Sequence, residues 1–143
     1  MTVVRILLAA LALVAAVHPS ATRAAETADF ISGTYVIEGR CPALAALQAG
    51  GDRNVSTVPE TLTRDGFQSW EGGCTFDDVN EISPGRLWRA RMDCHEGPEE
   101  WEETDTFSFD PEQGTITVVV DDRAVEGERT TYVRCDSGKE PKN

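Results

Sequence analysis

The stretch CTFDDVNEISPGRLWRARMDC, residues 74–94, decides the fold. At its centre stands Ser83-Pro84-Gly85-Arg86, a turn signal in which Pro presets φ and Gly tolerates left-handed backbone. Beyond the turn the side chains alternate, with Trp88, Ala90, Met92 and Cys94 on one face and Arg89, Arg91 and Asp93 on the other. Period-two alternation with one polar face specifies an antiparallel sheet that is wet on one side. Cys74 and Cys94 are equidistant from residue 84, so a hairpin folded there sets them nearly opposite each other.

Strand composition recurs on both sides of this hairpin. Residues 33–38 (GTYVIE), 61–64, 67–70, 101–109, 115–120 and 129–135 join 74–82 and 87–94 to make eight short strands. Asp65-Gly66 is a two-residue hairpin signal, and Asp110-Pro111-Glu112-Gln113-Gly114 suits a type I turn with a left-handed last residue. Between the first two strands, residues 42–49 (PALAALQA) read as a short helix, opened by Pro42 and ended by Gly50-Gly51. Leu44 and Leu47 share a face that can cover a barrel mouth or a sheet edge. The expected fold is all-β: an antiparallel meander of eight strands forming a barrel or sandwich, with one short helix. The interior of such a barrel is filled by side chains or holds one small ligand.

The first 24 residues carry Arg5, an apolar run over 6–17 and small residues near Ala24, the three parts of a secretory signal. A run of 12 is well short of the ~20 residues that cross a bilayer, so cleavage after Ala24 is expected, and no Cys stands there to take a lipid anchor. The chain then divides into a signal at 1–24, one domain at 25–136 and a disordered tail at 137–143, with periplasm or secretion as its destination. The whole chain has 13 Lys plus Arg against 25 Asp plus Glu, for a net charge of -12; without the signal's Arg5 and Arg23 it is -14 over 119 residues. Such a charge opposes nucleic acid and anionic lipid as partners and favours a cationic protein or a small basic ligand.

Cys41, Cys74, Cys94 and Cys135 make an even number in a small exported domain, the expected pattern for two disulfides. Zinc sites bring their ligands in close pairs, whereas these gaps are 33, 20 and 41 residues and His95 is the only histidine after the signal. No metal or cofactor is expected. The hairpin favours Cys74 with Cys94, leaving Cys41 with Cys135; Cys41 with Cys74 and Cys94 with Cys135 is the alternative. In the chain-entropy model the favoured loops contribute about 3 and about 4.7 kcal/mol.

The most unusual local feature is acidic. Glu96, Glu99, Glu100, Glu102, Glu103 and Asp105 put six carboxylates into ten positions. The plain reading is a solvated strand that resists edge pairing. Alternation raises a sharper one: if Trp101, Phe107 and Phe109 face inward, so do Glu103 and Asp105. A buried carboxylate needs donors or a cation. A bulge could turn the two outward, Arg89 or Arg91 could pair with them, or they could line a polar cavity that binds a cation or a basic ligand. The chain Asp77-Asp78-Val79-Asn80-Glu81 offers oxygen ligands but lacks the Gly and the distant Glu of an EF-hand loop.

Catalytic motifs are missing. There is no G-x-S-x-G, no P-loop and no dinucleotide fingerprint, and adjacent Cys94 and His95 point to opposite faces of a strand. The leading functional expectation is therefore a non-catalytic exported binding module for a cationic protein, inhibitor-like in its use of opposite charge. The alternatives are a small-ligand carrier, with a cavity lined by Trp88, Trp101 and Phe107, and a cell-envelope hydrolase using two of the many carboxylates.

Gly33-Thr34-Tyr35, Gly73-Cys74-Thr75-Phe76, Met92-Asp93-Cys94 and Tyr132-Val133-Arg134-Cys135 together resemble the small proteobacterial periplasmic four-cysteine domains of unknown function. Gly33-Thr34-Tyr35 with Arg134 is also similar to the Gly-x-Trp strand of lipocalins and its packing Arg, with Tyr in place of Trp. That resemblance implies a lipocalin-like barrel and a structural role for both residues.

Overall fold

A computed structural model of the protein describes residues 28–121 and 128–135. The expected signal at 1–24 and the tail at 137–143 lie outside the described residues. In chain order the elements are β1 (Tyr35–Ile37), α1 (Cys41–Gln48), β2 (Thr61–Thr63), β3 (Gly66–Gln68), β4 (Gly72–Ser83), β5 (Leu87–Glu96), β6 (Glu99–Asp110), β7 (Thr115–Val120) and β8 (Arg129–Arg134). Each strand pairs antiparallel with the next, and β8 pairs back onto β1, so eight strands close into an up-and-down barrel without a free edge. Of the two architectures the sequence allowed, the barrel is the one formed.

The β4–β5 hairpin is the backbone of the barrel, with Cys74 opposite Cys94 and Phe76 opposite Met92. A bulge at Asp77 then shifts the register by one, which lets both Phe76 and Val79 turn inward. The displaced Asp77 forms an ion pair with Arg91 on the outer face. The apolar residues of β5 that alternate in sequence, Trp88, Ala90, Met92 and Cys94, are all buried inside the barrel. Arg89 and Asp93 on the opposite face are exposed. Apolar inside and charged outside is the reverse of a transmembrane barrel's polarity.

The β2–β3 turn differs from expectation. Thr63 pairs with Gly66, so the two turn residues are Arg64 and Asp65, and Gly66 belongs to β3. The reason is steric: Gly66 has φ +129, and a Cβ there would collide with the Cys74 carbonyl oxygen on the neighbouring strand. The glycine serves strand crossing more than the turn.

Both disulfides have the favoured pairing. Cys74–Cys94 joins neighbouring strands, and Cys41–Cys135 ties the start of α1 to the end of β8 with a Cα–Cα distance of 5.5 Å. No residue of α1 is fully buried, with Leu44 and Leu47 partly covered. The disulfide is thus the helix's main anchor. Arg134 packs over Gly33, where a Cβ would stand 3.0 Å from its Nε, and Arg134 is the register partner of Tyr35.

One end of the barrel is plugged by its own chain. The Ala28 amide donates to the Arg64 carbonyl at 2.8 Å, and Ala28 and Ile31 are buried in the core. Phe30 stacks on Trp88 with ring centroids 4.1 Å apart and meets Phe107 edge-on at 5.8 Å. Phe107 also touches Phe76 and Phe67, and Phe67 touches Tyr132, so aromatic packing runs from the plug toward the other end.

Candidate functional site

The register fixes what faces the other end. On β6, Phe107 opposes Trp88, Asp105 opposes Ala90, Glu103 opposes Met92 and Trp101 opposes Cys94. Each step of two residues moves one layer outward from the aromatic core. Packing therefore changes along a single strand, from Phe107 to two carboxylates and then to an indole. Asp105 opposes Val120 on β7, and Phe107 opposes Val118.

These residues line a cavity of about 290 Å³ that opens to solvent at this end. Its apolar lining is Phe67, Val118, Val120, Trp101 and the ring of Tyr132, and its acidic lining is Glu60, Glu96, Glu103, Asp105 and Glu128. Asp105 is only 2% exposed and is the one buried charged residue among the described residues. Trp101, at 40% exposed, stands at the rim and donates its indole N–H to Glu103 Oε2 at 3.2 Å. The Tyr132 hydroxyl donates to Glu60 Oε1 at 2.5 Å. Burial, the Glu60 hydrogen bond and the charges of Glu60, Asp105 and Glu103 all push the Tyr132 phenol above its ordinary proton affinity.

Neutral donors hold Glu60 and Glu103 without cancelling their charge. Among the described residues that line the cavity, His95 is the only side chain able to carry a positive charge. The nearby arginines are engaged on the outer face, Arg89 with Asp121 at 3.1 Å and Arg91 with Asp77. Of the three resolutions that alternation left open for Glu103 and Asp105, the bulge lies on β4, the arginines pair elsewhere, and the carboxylates line a cavity.

Trp101, Glu103 and Asp105 come together as one wall, whereas Trp88 and Phe107 stand in the plugged part of the core and do not line the cavity. Glu60 and Tyr132 escaped the reading of the sequence. Glu60 falls between a loop ending at Pro59 and a strand beginning at Thr61, and contact with Tyr132 spans 72 positions. The alternation of Tyr132 and Arg134 against Thr131 and Val133 was the available signal for Tyr132. The Asp78 and Asn80 side chains bond each other, and Glu81 caps the Gly85 amide, which accounts for the acidic run before the turn as local structure.

No family model, curated protein or solved structure matches the chain.

Proposed function

We propose that the protein is an exported, non-catalytic binding module whose open barrel end receives a positively charged group of its partner. The observation that carries this reading is the asymmetry of the barrel interior: an aromatic plug at one end, and at the other a solvent-connected cavity with Glu60, Glu103 and Asp105 in its wall. A net charge of -12 adds long-range attraction for a cationic partner. Two disulfides suit an oxidising compartment such as periplasm or the extracellular space.

A strongly basic protein such as lysozyme is the direct probe. The oxidised protein is expected to bind it at low salt, and Glu60→Gln or Glu103→Gln is expected to weaken that binding about tenfold. Glu102→Gln removes the same charge from the outer face and is expected to change affinity less than twofold. Equal losses in the mouth and outer-face variants would reduce the interaction to unspecific charge attraction and overturn the proposal.

A further inference from the structure

The structure assigns Asn54 as an acceptor site for an N-linked glycan, supplied by a transferase that draws on a polyisoprenyl-diphosphate oligosaccharide. The site lies in the surface loop between α1 and β2, and none of its residues lines the cavity. It rests on the proposed function only for export, since such glycans are added to exported chains.

The chain holds three asparagines, Asn54, Asn80 and Asn143, and only Asn54 is followed two positions later by Ser or Thr. A motif so short arises by chance, so its setting has to decide. Residues 51–56 are all exposed, with Val55 at 67%. The Asn54 carboxamide oxygen accepts the Ser56 amide at 2.9 Å and the Ser56 hydroxyl at 2.5 Å. The first bond alone completes an Asx turn. The second is additional, and it sets the carboxamide and the hydroxyl, the two groups that define the sequon, side by side on the surface. Both bonds fall on the oxygen, whereas Asn80 spends its amide nitrogen on Asp78 Oδ2 at 3.2 Å. The Thr57 hydroxyl holds the loop in this shape, accepting the Asn54 amide at 2.9 Å and donating to the Asp52 carbonyl at 2.7 Å. Asp52, exposed two residues before the acceptor, offers a carboxylate to a basic group in the transferase.

In the transfer, Asn54 Nδ2 bonds to C1 of the first sugar as the bond from C1 to the diphosphate oxygen breaks. The diphosphate leaves with the electron pair, and one amide proton passes to a carboxylate of the transferase. The carbonyl oxygen is unchanged, so the bond that forms the Asx turn survives the modification.

The test mixes the oxidised, folded protein with a purified bacterial oligosaccharyltransferase and its lipid-linked oligosaccharide, read by intact mass and peptide mapping. One glycan per chain is expected, on Asn54, with the thermal midpoint unchanged. Asn54→Gln and Ser56→Ala should abolish transfer, Ser56→Thr should retain it, and Asp52→Asn should slow it at least fivefold. A folded protein that takes no glycan, or a glycan that persists in Ser56→Ala, would overturn the inference, as would transfer confined to the reduced, denatured chain. The full chain co-expressed in bacterial cells with the same enzyme and donor separates the site from export. If the purified protein is modified and the co-expressed chain is not, the export reading falls and the acceptor site stands.

Discussion

The two ends of the barrel are built from the same strands and do opposite things. At the plugged end Phe30, Trp88 and Phe107 fill the interior with rings in direct contact, and the chain's own residues 28–31 close it. At the open end the same strands present Asp105, Glu103 and Trp101 around a cavity. The difference teaches that close aromatic packing and an acidic cavity are separated along the barrel axis, within one strand, by three steps of the β6 alternation. Each disulfide sits at one of these ends, Cys41–Cys135 beside Thr34 and Cys74–Cys94 in the cavity wall.

Breaking the disulfides should give the largest effects. Replacing Cys41 and Cys135 by Ala opens a sequence separation of 94 and is expected to cost about 4.7 kcal/mol, read by urea unfolding. Replacing Cys74 and Cys94 opens a separation of only 20 and should cost about 3 kcal/mol. The second pair should also weaken lysozyme binding, because it removes part of the cavity wall; the first should not. Next comes the plug. Phe30→Ala removes two ring contacts and should cost about 3 kcal/mol with lysozyme binding retained.

Tyr132 sharpens the comparison through pH. Its phenol is held more basic in the folded protein than the ordinary value near 10, so its contribution to stability is complete below that pH and is lost as the pH rises above it. Thermal midpoints should therefore fall more steeply above about pH 10 in the native protein than in Tyr132→Phe. The smallest stability change belongs to the mouth. Glu103→Gln should alter the unfolding free energy by no more than about 0.5 kcal/mol while weakening lysozyme binding about tenfold, the reverse of Phe30→Ala.

Much of the fold was legible because it is local. The Pro84-Gly85 turn, the β5 alternation and the position of Cys74 and Cys94 about it determine the central hairpin and one disulfide, and the other follows by elimination. The turn at Arg64-Asp65 was misplaced by one residue because what fixes Gly66 is the carbonyl of Cys74 on a neighbouring strand, a contact that no dipeptide signal encodes. The Asp77 bulge was hidden for a similar reason, since it satisfies packing of Phe76 and Val79 against β5. At the site, parity along β6 was sufficient to bring Glu103 and Asp105 inward with Trp101. It could not say that Trp88 belongs with Phe30 at the far end, nor that Glu60 reaches Tyr132 across the closed barrel. Those facts depend on barrel closure, in which β1 joins β8.

The central claim is that one end of the barrel binds cations and the other only packs. Titrating the isotopically labelled, oxidised protein with unlabelled lysozyme while following its amide and indole nuclear magnetic resonances tests this most directly. The account predicts shifts concentrated at the Trp101 indole N–H and the amides of Glu103 and Asp105, with Phe30 and the Trp88 indole unmoved. Shifts centred on Phe30 and Trp88, or spread evenly over the outer acidic residues Asp93, Glu100 and Glu102, would contradict it.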